Sequence, residues 1–215
     1  RPAPLRRGPL VLLGDGALLL LALAGTVGSF STAFSLEVDY PAVYAGCLAW
    51  AAAALLAWSL PRRWWALPLA AAAGGWCLAL WRLRELLALG EVSVRCAVVN
   101  TFCVSLGLDG MIQPALDLPA QTWTAAATVL VLAAAVPLAA LLGLGGVRLR
   151  SFWFTFCCSF PFVLAPLCIS VTPAWPPLMA LVLAWCALGL TALARRSDPA
   201  GAARLTLLAL PAGAA

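Results

Sequence analysis

Long apolar runs alternate with short polar breaks along the whole chain. Six runs come close to the roughly 20 residues that a helix needs to cross a hydrocarbon core. They are Leu10 to Phe30, Tyr40 to Leu60, Trp64 to Trp81, Thr122 to Leu142, Phe152 to Val171 and Trp175 to Ala194. A seventh run begins at Leu205. None alternates with the period of two that a membrane barrel strand requires. A lone segment in lipid must satisfy its own backbone hydrogen bonds, so each run predicts a helix. The pattern therefore predicts an all-α fold: one membrane-spanning domain over residues 1–215, a polytopic bundle of six spans plus the start of a seventh.

The longest connection runs over 82–121. Its first part, Arg84 to Leu106, predicts a helix on which Arg84, Glu91 and Arg95 share one face, with Glu91 and Arg95 spaced as a favourable i,i+4 pair. Its other faces are mostly apolar. The expectation is an interfacial amphipathic helix lying on the outer leaflet or against the bundle. The other reading, a full span, would invert everything after it. Gly107 to Ala120 carries Gly and Pro turn signals and reads as a loop. Pro68, Pro137, Pro161 and Pro166 fall inside predicted spans and should kink them. Trp64, Trp65, Trp81, Trp123, Trp153 and Trp175 sit near span ends, where an indole favours the headgroup boundary.

Composition closes off other classes. Of 215 residues, 64% are hydrophobic and 10% charged, against roughly 25% charged in a soluble domain. With a mean hydropathy of +1.02, this excludes disorder and a soluble globular fold. Every basic residue is arginine, 13 against 8 acids, for a net charge of +5. The arginines stand in clusters between apolar runs, as topology anchors rather than a nucleic-acid face. With the N-terminus in the cytoplasm, the inner segments hold Arg1, Arg6, Arg7, Arg62, Arg63, Arg148, Arg150, Arg195, Arg196 and Arg204, ten of the thirteen. The outer segments hold Arg82, Arg84 and Arg95 with Glu37, Asp39, Glu85, Glu91, Asp109 and Asp117. The positive-inside rule thus predicts a multi-pass protein of the cell membrane with a cytoplasmic N-terminus.

Candidate chemistry is sparse. Histidine is absent, which removes His-based acid–base chemistry, His metal sites and Ser-His or Cys-His nucleophiles. No catalytic, cofactor-binding or metal residue is assigned and no cofactor is expected. Asp15, between Gly14 and Gly16 about five residues into the first span, is the one intramembrane polar candidate. It reads either as a proton or ion site or as a carboxylate near the inner face, paired with Arg6 or Arg7. Six of the eight cysteines lie in spans, where Cys acts as a small hydrophobe. Cys96 and Cys103 lie two turns apart on the outer helix, too far for a disulfide with each other, and should react from outside unless the bilayer shields them. Gly25 and Gly28 with Ala24 and Ser29 suit close helix packing, and Gly74-Gly75 reads likewise. Ser29, Ser31, Thr32 and Ser35 read as a solvated outer loop or a cavity mouth.

Four stretches carry a resemblance: GTVGSFSTAFSL (Gly25 to Leu36), RLRSFW (Arg148 to Trp153), ISVTPAWPPL (Ile169 to Leu178) and DPAGAARLTLLALP (Asp198 to Pro211). Together the chain resembles the N-terminal membrane region of bacterial, mostly Firmicute, transglutaminase-like membrane proteins. In that group several spans precede an extracytoplasmic domain of papain-like Cys-His-Asp type. The resemblance implies a non-catalytic membrane anchor whose partners are the lipid bilayer and a downstream domain following Ala215, and Arg1 in place of Met reads likewise as a fragment. The alternatives are a small transporter or permease subunit, which would need a polar path through the bundle, and an intramembrane enzyme acting on lipid or lipid-linked sugar, for which the outer acids Glu85, Glu91 and Asp109 form no recognisable pattern. No oligomeric state follows from the sequence.

Overall fold

The structure is a computed structural model that describes residues 9–60, 66–112 and 119–197. Seven helices account for nearly all of them: α1 (Pro9–Ala33), α2 (Tyr40–Ser59), α3 (Ala66–Arg82), α4 (Arg84–Ser105), α5 (Ala120–Gly143), α6 (Phe152–Leu167) and α7 (Trp175–Ser197). The fold is an all-helical membrane bundle, with no strand among the described residues. Five helices are long and apolar enough to cross a membrane: α1, α2, α4, α5 with its extension, and α7. The start of a seventh span at Leu205 lies outside the described residues.

One expected span, α6, stops several residues short of its apolar run. α6 stops at Leu167 because the chain closes a Schellman turn there. The Val171 N–H donates to the Pro166 carbonyl at 3.0 Å and the Ser170 N–H to the Leu167 carbonyl at 3.0 Å, with Ser170 at φ 60°. α3 is described over Ala66–Arg82, with Pro68 near the start of that range. Pro137, Pro161 and Pro166 stand inside helices, as the sequence suggested.

α1 is the hub, packed against α7, α2, α6 and α5. Its Leu19, Ala22, Leu23 and Val27 lie in the main core cluster with Val43, Cys47 and Ala51 of α2 and Ala135, Leu138 and Leu142 of α5. Without a hydrophobic gradient between helices in lipid, close packing is what holds such a core together. Gly25 and Gly28 supply it: a Cβ on Gly25 would meet the Leu181 backbone at 2.7 Å, and one on Gly28 would meet Pro177 at 2.7 Å. Gly74 and Gly75, expected to pack likewise, have no neighbour within 4 Å, because α3 stands off the bundle. Ser29 and Ser31 are not solvated; α1 runs on to Ala33 and buries both.

α3 and α4 are nearly one helix. The Leu83 N–H donates to the Ala79 carbonyl at 2.9 Å and the Leu87 N–H to the Leu83 carbonyl at 2.8 Å, so the helical ladder passes through the break. Only Leu83 departs, at φ −99° and ψ 14°. α4 then packs lengthwise on α5, with Gly90 against the Ala126 carbonyl and Leu130. Val94, Ala97 and Val98 join the core cluster. The expected polar face exists, since Arg84, Glu91 and Arg95 are all exposed, though Glu91 and Arg95 do not close an ion pair. The buried face of α4 holds Gly90, Ser93, Cys96 and Cys103. Both cysteines expected to be reachable from outside are therefore shielded by the protein.

Cross-links fix the two ends of the bundle. At one end Arg150 reaches Asp15, and the Trp58 indole N–H donates to the Ala140 carbonyl at 3.0 Å. At the other the Asp39 N–H donates to Thr128 Oγ1 at 2.9 Å and the Ala174 N–H to Thr32 Oγ1 at 3.1 Å. Asp39 also caps α2, with Oδ1 accepting from the Ala42 N–H at 3.3 Å.

Candidate functional site

Asp15 lies at the end of the bundle where α1 starts and α5 gives way to α6. Its Oδ2 stands 3.5 Å from Arg150 Nη2, with the Asp15 side chain 11% exposed and that of Arg150 30%. The chain must turn sharply to bring Arg150 there. α5 widens into a π-helical segment, Leu144–Leu149, and Arg150 ends it in the left-handed region at φ 49°, its N–H donating to the Gly145 carbonyl. The Ser151 N–H donates to the same carbonyl at 2.9 Å, while Ser151 caps α6 by accepting from the Phe154 N–H at 3.3 Å. A carboxylate in an apolar helix is costly, and a guanidinium at hydrogen-bond range offsets that cost. The sequence offered Arg6 or Arg7 as partners; both lie outside the described residues. It gave no sign of Arg150, which is 135 positions away. Beside Asp15, walled by Leu18, Leu19, Ala22, Leu142, Gly146, Thr155 and Leu188, is a void of about 10 Å3, at most one water in size.

Of the other topology anchors, Arg148 lies in the same π segment, with its guanidinium carbon 6.0 Å from the centre of the Trp58 ring. Arg195 and Arg196 fall in the last turns of α7. Arg62, Arg63 and Arg204 lie outside the described residues.

The larger feature is a cleft of about 590 Å3 between α2, α3, α4 and α5. Its walls are apolar: Ala49, Ala53 and Ala57 from α2, Ala72, Gly75 and Ala79 from α3, Leu87 from α4, and Leu132, Val136 and Ala140 from α5. Trp76 spans it. Pro137 has no N–H, so the Ala133 carbonyl is denied its helical partner; the Trp76 indole N–H donates to it at 3.1 Å. That bond is what ties α3 to α5. Three tryptophans thus anchor to acceptors inside the bundle: Trp58, Trp76 and Trp185, the last donating to Ser159 Oγ at 2.8 Å. The sequence pointed only to the tryptophans near span ends, of which Trp81, Trp153 and Trp175 are indeed exposed.

Neither a protein-family model, nor a curated protein, nor a solved structure matches this chain. The chemistry must be read from its own residues. None of the eight cysteines is in a disulfide, and among the described residues no three His, Cys, Asp or Glu side chains gather closely enough to hold a metal. Most buried hydroxyls bond back to their own helix: Thr26 to the Ala22 carbonyl at 2.6 Å, Thr128 to Thr124 at 2.7 Å and Ser159 to Thr155 at 2.8 Å. Ser29 Oγ and Ser31 Oγ are buried without a hydrogen-bond partner.

Proposed function

We propose that this bundle is the membrane anchor and scaffold of a larger surface protein, with its N-terminus in the cytoplasm and a transglutaminase-like domain carried outside. The observation that supports this reading is the use of polar groups. Asp15 is spent on Arg150, Asp39 on a helix cap, and the threonines and Ser159 on their own helices. Such groups hold helices in place and leave little to act on a solute. The permease reading rests on Ser29 and Ser31, whose hydroxyls are buried and unpartnered. Two positions apart on a helix they point about 200° apart, so they do not line one path.

The test has two arms. The whole protein should carry, joined to this bundle and outside the membrane, a soluble domain with Cys, His and Asp. A whole protein without such a domain, or with further spans alone, would overturn the anchor. Alkaline phosphatase fused after Gly110 should be active and a fusion after Leu60 inactive; the opposite pattern would refute the orientation.

A further inference from the structure

We propose that the cleft between α2, α3, α4 and α5 holds one acyl chain of an anionic phospholipid, with its phosphate beside Arg148. The proposal rests on the bundle lying in a membrane and is independent of any downstream domain.

The length fits. On α2 the cleft runs from Gly46 to Trp58 and on α5 from Val129 to Ala140. At 1.5 Å per residue these are about 18 Å and about 16 Å. One leaflet of a hydrocarbon core that is about 30 Å thick is close to that. The volume of about 590 Å3 lies within the range of sites that enclose a small ligand. The walls offer a guest almost only aliphatic and indole carbon. Their polar pairs, the Trp76 N–H with the Ala133 carbonyl and the Trp58 N–H with the Ala140 carbonyl, are each already closed. A polar solute would find little to bond there, and a hydrocarbon chain loses little by entering.

The charge selects the end and the lipid. Trp58 closes the cleft beside Ala140, its indole fixed by the hydrogen bond to that carbonyl. The Arg148 guanidinium lies 6.0 Å from the same ring. A lipid with its chain along α2 and α5 would place its phosphate where this cation stands, at the boundary of its own leaflet. Basic pockets between membrane helices bind anionic headgroups in this way.

Native mass spectrometry of the chain in detergent micelles doped equally with phosphatidylglycerol and phosphatidylcholine tests this. One lipid should stay bound per chain, with phosphatidylglycerol favoured about fivefold for one arginine at the headgroup. Arg148→Gln should retain one lipid but lose the preference, and Arg148→Lys should keep it. Gly75→Leu should abolish retention, because Gly75 lines the cleft, no atom lies within 4 Å of its Cβ position, and the longer side chain takes up the space of the guest. Helicity by circular dichroism confirms that each variant is folded. Undiminished binding by folded Gly75→Leu, equal retention of both lipids by the unaltered chain, or a lipid-free dimer would overturn the proposal.

Discussion

Replacing Gly25 with alanine adds one methyl group where α1 crosses α7, and the structure sets its cost. The new Cβ would stand 2.7 Å from the Leu181 nitrogen, 2.8 Å from its Cβ and 2.9 Å from its Cα. Carbon contacts settle at about 3.5–4.0 Å, so the helices must part by about 1 Å. Two of the three atoms are backbone and cannot swing aside. Overpacking of this kind costs about 1–3 kcal/mol. Alanine also gains about 1 kcal/mol in helix propensity over glycine, which would mask part of the clash in a simple comparison. Gly74→Ala removes that ambiguity: Gly74 is also helical, but its Cβ position has no atom within 4 Å. Both variants take the same propensity gain, so their difference is the packing term. Thermal unfolding in dodecyl maltoside, followed by the near-UV circular dichroism of the tryptophans, should place Gly25→Ala about 2–12 °C below Gly74→Ala. Equal midpoints would mean that α1 and α7 are not packed as described.

Asp15→Asn should destabilise the bundle by about 1 kcal/mol, a figure kept low because Arg150 is 30% exposed and partly screened. Adding Arg150→Gln should cost less than the two single changes together, and strict additivity in that cycle would show that the pair is not coupled. Trp76→Phe removes the donor to the Ala133 carbonyl and should cost about 1–2 kcal/mol. Pro137→Ala in the same background restores a helical N–H for that carbonyl and should recover part of the loss; no recovery in the same melt would refute the account of why Trp76 stands there.

The sequence made the apolar runs of α1, α2, α5 and α7 legible because each ends in charged or turn-forming residues. It was less informative where one apolar run contains its own stop. The run from Phe152 to Val171 has no charge to mark the end of α6, and the end comes from backbone geometry at Ser170. The interior tryptophans were illegible for a related reason. An indole within an apolar run looks the same whether its N–H faces a headgroup or a carbonyl freed by a proline on another helix. Pro137 was the available hint, since a proline at one position always frees the carbonyl four residues earlier. Asp15 was legible as an anomaly, but its partner depended on where the π segment aims Arg150. Ser29 and Ser31 were illegible because the unbroken apolar run ends at Phe30, while α1 continues into the Schellman turn at Ser35.

The α3–α4 unit bears most directly on how the chain threads the membrane. Counted separately, α4 is long and apolar enough to be a span of its own. A separate crossing would put the segment holding Arg148 and Arg150 on the side opposite the start of α1. The contacts argue against that. Trp76 meets Ala133 and Gly90 meets Ala126, so the chain advances from α3 into α4 in one direction along α5, antiparallel to it. The ladder through Leu83 carries it there without a reversal. α3 and α4 together therefore make one passage between the ends of the bundle. Asp15 meeting Arg150 independently puts the start of α1 and the start of α6 at the same end. A helix broken at Leu83 thus reconciles an apolar α4 with the charge pattern: it uses two helices where one passage is needed, and the arginines of the α5–α6 connection stay on the side where α1 begins.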